Sequence, residues 1–560
     1  MTIKQTYRLG LVLNFFIGLA GVLLLFQVFT AYRLRLDLTE EKRYSISETT
    51  KELLKTVDSP INIEVYLAGE MPANFLRFQK AIEELLVEFN VYAGAPIDVK
   101  LTDPSAASSA QSRNQFYQAL MKQGLDPTNI NYSEDGQTSQ KTVFPGAIVS
   151  YKGRELAVNL LNGNRAQGPE EIINQSIERL EYEFNQAIVQ LMGGSRKRIG
   201  YVIGHGEPDS LDVAAFTNLV LQKYDLFKIN LPKRSTPLVG YDMVIVGKPT
   251  SKFNEKEKYY LDQYLMNGGR LMFLIDALRV NMDSAAGAGT VATAYETGLN
   301  DLLFKYGVRI NPNYVVDLNC GDFPVVAGNI GNQPQIRMLP WPYFPIITNY
   351  GNHPVVKNTD AVMARFTSTI DTVKAVGVEK IPLMLTSARS KILGSPIQVS
   401  FNDLQSELLP EKFQAGPQAI AYLLEGNFTS LFANRFPPKG FDKGATIEKG
   451  KASKVIVISD GDLIRNDLNV EDGTPLALGV EPYTQTTYGN EDLIMNLIDY
   501  LVDDFGLVET KSKEIKIRPL DKIKVKEQRT WLQFINVGLP ILLIILFGIV
   551  KAFYRKKKNS

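Results

Sequence analysis

Two uncharged apolar runs, one near each end of the chain, constrain its fold more than anything between them. Residues 9–29 read LGLVLNFFIGLAGVLLLFQVF. At about 1.5 Å rise per residue, such a helix matches a hydrocarbon core of roughly 30 Å. A cleaved signal peptide has an apolar region of only about 7–15 residues and a small-residue cleavage site. This run continues instead into Thr30, Ala31, Tyr32 and Arg33, so a retained membrane anchor is expected. Residues 531–550 form the second run, WLQFINVGLPILLIILFGIV, with Trp531 opening it and Tyr554 just past it, where the membrane interface favours aromatic rings. Pro540 is expected to kink it. Lys551, Arg555, Lys556, Lys557 and Lys558 follow the second run directly, and basic residues beside a span stay cytoplasmic. Residues 1–8 and 551–560 are therefore expected inside the cell, with the domain between the spans on the far side of the inner membrane, in the periplasm. Arg33, Arg35, Lys42 and Arg43 argue the opposite way, and the denser tail outweighs them.

The segment between the spans must be a folded, water-facing body. The whole chain has 560 residues with 45% hydrophobic and 22% charged, and single cores stop growing at about 250–300 residues. A formal net charge of +1, without a basic stripe interleaved with aromatics, sets nucleic acid aside. One cysteine, Cys320, and two histidines, His205 and His353, exclude an intramolecular disulfide and every multi-cysteine metal site. No phosphate-binding loop of the form G-x-x-x-x-G-K-[ST] occurs. Gly247-Lys248-Pro249 lacks the spaced glycine and the hydroxyl, so no cofactor is expected and any ATPase must be another polypeptide.

Patterning divides the body. Over 37–165 an N-terminal α/β domain is expected: Ser47 caps a helix beginning near Glu48, residues 61–67 alternate as a strand, and Phe75, Phe78, Ile82, Leu85 and Phe89 step by three and four along a helix. A second strand over 97–101 would lie parallel to the first. A connecting helix over 169–192 starts at Pro169 with Glu170 and Glu171 in its first turn. Its stripe Ile173, Ile177, Leu180, Phe184, Ala187 and Leu191 suits packing on its own domain better than a coiled seam. Over 196–285, strand and helix alternate as a doubly wound α/β region whose strands, YVI, MVIVG and LMFLID, are continuous apolar runs. Residues 286–450 are expected to be a variable insertion or additional domain, with Pro340, Pro342, Pro345 and Pro354 marking irregular surface. An α/β unit returns over 451–505, and 506–530 links it to the second span. Whether that late unit joins the earlier sheet is left open by the pattern.

Two turns stand where chemistry is expected. Gly204-His205-Gly206-Glu207-Pro208-Asp209 follows a strand and precedes a helix, at the carboxyl edge where open α/β sheets place ligands. Without an identifiable nucleophile and third partner, His205, Glu207 and Asp209 are candidates for ligand or partner contact, set against plain turn chemistry. Asp460-Gly461-Asp462 pairs two carboxylates but lacks the spacing of a calcium loop. Asp460 and Asp462 are therefore contact candidates, and no catalytic, cofactor or metal residue is expected. In the spans, Asn14, Gly18, Gly21, Asn536, Gly538 and Pro540 interrupt the apolar surface, as residues that pack against another membrane helix do.

The order DLTEEKRYSIS, INIEVYL, YVIGHGE, DMVIVGKP, YLMNGGRLMFLID, VIVISDGD and YGNEDLIMNLIDYLVDD resembles the GldG family of gliding-motility auxiliary components of ABC transporters. The stretch from Arg198 onward is similar to glutamine-amidotransferase-like domains and their intraflagellar-transport relatives. The resemblance implies a degenerate amidotransferase-like fold without its activity, because Ala277-Leu278-Arg279 stands where a nucleophile elbow would be. It also implies a polytopic permease and a separate ATPase as partners, in a Bacteroidota-type bacterium, supporting gliding and protein export. A polysaccharide co-polymerase scaffold, which would form a homo-oligomer, is the alternative, though long heptad helices are missing. An amidotransferase-like enzyme ranks behind it.

Overall fold

The computed structural model describes residues 45–512, apart from 107–108, 135–136, 162–167, 194–195, 281, 286–288, 331–332, 358 and 401–407, and the segment 528–558. Of the first apolar run it describes residues 16–18, 20–21 and 24, all helical. The expected N-terminal span, and Asn14 within it, thus lie largely or wholly outside the described residues. The chain divides into two compact units, Met1–Lys513 and Glu514–Ser560.

From residue 45 onward, the first element of the larger unit is helix α1 (Glu48–Lys55), whose N-cap Ser47 accepts from the Thr50 amide. Strand β1 (Ile61–Val65), helix α2 (Ala73–Tyr92) and strand β2 (Ile97–Leu101) follow. β1 and β2 are parallel, as a crossover of this length requires. The buried stripe of α2 is Phe75, Phe78, Ile82, Leu86 and Phe89, with Leu86 where the spacing pointed to Leu85. A hairpin that the pattern did not reveal, β3 (Gly146–Tyr151) and β4 (Arg154–Asn159), completes a sheet of order β2-β1-β3-β4. Helix α3 (Pro169–Gly193) packs one face, from Ile173 through Leu180 and Phe184 to Leu191, into this core, while Tyr182 lies in the neighbouring core and its hydroxyl donates to Asp499 at 2.6 Å.

Beyond α3 lies an eight-stranded sheet. Its elements are β5 (Arg198–Ile203), α4 (Ala214–Lys223), β6 (Asp225–Asn230), β7 (Met243–Gly247), α5 (Glu255–Met266), β8 (Arg270–Leu274), β9 (Asn349–Tyr350), β10 (Val378–Leu385), β11 (Ala419–Thr429), β12 (Lys449–Ile458) and helix α7, numbered after the short α6 (Asn300–Tyr306), at Asn490–Val502. The order is β9-β10-β11-β12-β8-β7-β5-β6. From β12 to β6 all neighbours are parallel, and in chain order these five strands lie 2-1-3-4-5, a doubly wound arrangement. Side chains alternate between two apolar layers. Met243, Ile245, Met272, Leu274, Ile456 and Ile458 face the layer of α4 and α7. Val244, Val246, Leu271, Phe273, Val455 and Val457 face that of α5. Burial on both faces is why these strands are unbroken apolar runs. The late unit joins the earlier sheet, with β12 directly beside β8.

One expectation is overturned. Pro340, Pro342 and Pro345 lie inside the long strand Gln333–Ile347 rather than in irregular surface. Through this stretch the strand pairs with Cys320–Ile330 on one side; on the other, Ile346 and Ile347 pair with Met363 and Val362, and beyond them only carbonyls are used, those of Pro345 and Tyr343 accepting from the Ala364 and Phe366 amides. Proline is tolerated on such an edge because the ladder needs no amide there. Between the prolines, Trp341 and Tyr343 are buried beside Tyr314, which anchors the strand.

In the second unit, Arg529–Ala552 is a helix long and apolar enough to cross a membrane, with a mean hydropathy of 2.3 over its most apolar 18 residues, none of which is buried. It contains a π-helical turn at Phe534–Gly538, directly before Pro540. Proline has no amide to donate and its ring crowds the carbonyl four residues back. The wider turn accommodates that defect.

Candidate functional site

Four strand ends meet at one edge of the parallel sheet, and each delivers polar side chains just past its last residue. β5 leads into Gly204-His205-Gly206-Glu207, β7 into Lys248, β8 into Asp276, and β12 into Ser459-Asp460-Gly461-Asp462. β5 and β7 flank the point where strand order reverses, the usual ligand position in an open α/β sheet.

The two turns at that point are joined to each other. The Thr250 and Ser251 amides donate to the His205 carbonyl at 2.8 and 2.9 Å, and Thr250 Oγ1 donates to the Gly206 carbonyl at 3.1 Å. His205 is 2% exposed and stacks on Phe253 with 3.6 Å between centroids. Its Nε2 lies 3.1 Å from Glu257, which also closes the capping box of α5 with Asn254, and its amide donates to Glu207 at 2.7 Å. Burial pushes the imidazole pKa down, but Glu207 and Glu257 outweigh it and hold it above the usual histidine value. The histidine therefore ties two loops and a helix start together. Asp209 stands apart in an exposed loop, accepting from the Leu211 and Asp212 amides. Those backbone bonds, the Asp212 amide first, lower its pKa.

The denser constellation is on the other side of β7. Lys248, held at φ 49°, places Nζ 2.7 Å from Asp276 and 2.5 Å from Asp462. A Cβ on Gly461 would meet Lys248 Cβ at 2.6 Å, so glycine there is what lets the lysine pass. The Gly461 amide donates to Asp276 at 2.6 Å and the Asp462 amide to Asp460 at 2.8 Å. The Arg365 amide donates to Asp460 at 2.7 Å, while its guanidinium forks onto Asp467. Arg465 bridges Asp462 and Asp212 at 2.9 and 3.2 Å.

Electrostatics separates the three carboxylates. Burial raises the Asp276 pKa, with Lys248 opposing it. Asp460 is raised well above the usual range by burial and then by the charges of Asp462 and Asp276. Burial also pushes Asp462 up, but Lys248 and Arg465 overcome it and hold the carboxyl at about 2. Oxygens of Asp276, Asp460 and Asp462 lie within 4.8 Å of one another, close enough to share a cation. The ammonium of Lys248 already stands between two of them, so a metal ion would have to displace it.

The structure thus brings Asp460 and Asp462 together with Lys248, Asp276 and Arg365, which the patterning did not single out, and keeps His205 and Glu207 in a neighbouring cluster. Asp276 had a readable signal, because it stands two residues past its strand, as His205 and Asp460 do past theirs, and Lys248 stands one residue past β7. Arg365 comes from the insertion between β8 and β12 and had none. Asn536 Nδ2 donates to the Leu532 carbonyl of its own helix at 2.9 Å, and Gly538 leaves room for the Phe534 ring.

A family described as an ABC-type uncharacterized transport system matches residues 196–497, which contain the whole parallel sheet and every residue of the carboxylate cluster. A domain of unknown function (DUF7088) matches residues 40–150. An uncharacterized protein of Borreliella burgdorferi is 22% identical over 98% of this chain and 99% of its own length. Among solved structures, the mmIFT52 N-terminal domain aligns with TM-score 0.31 and 13% identity, over 55% of this chain and 97% of that one. The transport-system match extends over more than half of the sequence, and the chain belongs to this family of ABC transport system auxiliary proteins.

Proposed function

We propose that the chain is a membrane-anchored, non-enzymatic accessory subunit of an ABC transporter, whose large unit binds or scaffolds a partner in the periplasm. A polytopic permease and a separate ATPase supply the pathway and the energy. The observation that carries this reading is the Lys248 bridge. At the sheet edge where a catalytic α/β domain opens to its substrate, Lys248 is held between buried Asp276 and largely covered Asp462, which Arg465 also pairs, and such a pinned cluster favours a rigid platform over a reaction site. Nor is there an activated thiol: burial pushes Cys320 up to about 12, leaving it protonated and weakly nucleophilic at neutral pH. The role in gliding and associated export is the finer form of this proposal, supported by the order of the GldG-like segments along the sequence.

Replacing Cys320 with serine is expected to leave cellular function intact, and the purified chain alone should not hydrolyse ATP. Loss of function in a folded, normally abundant Cys320→Ser protein would favour a thiol enzyme instead.

A further inference from the structure

β2 is the outermost strand of its sheet, and among the described residues no strand lies beyond it. Its inner edge is defined by two bonds to β1: the Thr102 amide donates to the Val65 carbonyl and the Ile61 amide to the Pro96 carbonyl. Backbone groups alternate along a strand, so even-numbered residues face β1, whereas Ile97, Val99 and Leu101 turn their amides and carbonyls outward. The Ile97 amide is taken by Asn90 Oδ1 at 3.0 Å. Val99 and Leu101 are 39% and 37% exposed, although they share the core-facing side of the sheet with buried Ile97.

We propose that this edge pairs with β2 of a second copy of the chain, antiparallel and centred on Val99. A two-fold axis through an outward-facing residue makes Val99 and its counterpart exchange both backbone bonds, and Ile97 lies opposite Leu101. The intervening pairs set Asp98 against Lys100 twice, in the non-hydrogen-bonded positions where side chains approach most closely. Lys100, which already bonds Glu64 at 2.8 Å, then stands between two carboxylates. The edge is thus self-complementary in charge and in apolar contact.

The same operation fails at the sheet edge formed by β6. There the Asp225 and Leu231 amides face β5, so Leu226, Lys228 and Asn230 point outward, and the central two-fold sets Lys228 against itself. Like charges placed opposite are a common guard on free edges. β2 carries no such guard. Five paired residues bury less than the roughly 1,200 Å² of a stable soluble dimer, so the pairing requires copies confined together at a membrane, where effective concentration is high.

The test uses the full chain in membranes, in a Cys320→Ser background with mild oxidation. Val99→Cys should form a disulfide-linked dimer, while Lys80→Cys, on the exposed side of α2, should not. Adding Asp98→Lys should lower the Val99→Cys dimer yield roughly fivefold by setting like charges opposite each other, and adding Lys100→Asp as well should restore it. No dimer at Val99, equal cross-linking at Lys80, linkage to a different protein, or indifference to the charge reversal would each overturn the proposal. The substituted side chains are exposed, and an unchanged melting temperature in each variant excludes misfolding as the cause of any loss.

Discussion

Replacing Lys248 with methionine should destabilise the large unit by about 3–5 kcal/mol, the usual cost of removing one partner of a buried ion pair. Methionine keeps much of the apolar stem but removes the ammonium that stands 2.7 and 2.5 Å from Asp276 and Asp462. Asp276, and Asp462 with only Arg465 still paired to it, are then left facing Asp460, which is fully buried. The pH dependence gives a second readout. In the native protein Asp462 is held at about 2, below the unfolded value of about 3.9. Its contribution is therefore present above pH ~4 and is lost as pH falls toward 2. Without Lys248 that depression shrinks and acidification neutralises the abandoned carboxylates, so the deficit of Lys248→Met should narrow between about pH 6 and 4. Adding Asp462→Asn should recover part of it at neutral pH. Thermal unfolding of the detergent-solubilised chain measures each of these, and an unchanged melting temperature in Lys248→Met would show that the bridge does not hold the strand ends together.

Exchanging residues 531–550 for a polyleucine helix should preserve membrane insertion and folding of the large unit, yet release the permease on purification. Leucine supplies the same hydrophobic length but none of the features a neighbouring helix can use. Those features are the Asn536 amide, which can exchange its bond to the Leu532 carbonyl for one across the interface, the small residue Gly538, and the π-helical turn Phe534–Gly538 shortly before Pro540. Small residues let helix backbones approach, and an amide bonded across a helix interface in lipid contributes about 0.6–2 kcal/mol. Three such features lost together amount to a large change in co-purified permease. Retention of the permease with full function would assign the span a tethering role and move the contact into the α/β unit.

How much of this was legible depended on how local each signal was. β2 could be read to the residue because Ile97–Leu101 is a short alternating stretch bounded by turn residues. β6 was missed because Asp225–Asn230, DLFKIN, is a half-exposed edge strand with little alternation. β11 was missed because it lies in the long insertion, and its partner is fixed by antiparallel pairing with β12 that no local pattern encodes. The proline-bearing strand misled for a related reason: proline rules out a central strand, and whether a strand has one neighbour or two is a tertiary fact. At the site, the turns of His205 and Asp460 were visible. Which turn would be tied to which was not, since Lys248 reaches across to Asp462, more than two hundred residues later in the chain.

Whether this chain works as the accessory subunit of a transporter is decided by tagging the full-length protein and purifying it in mild detergent from its own membrane. A polytopic permease and an ATP-hydrolysing subunit are expected in constant proportion to the tagged chain. Recovery of the chain alone, or only as a large homo-oligomer with neither protein present, would contradict that accessory role.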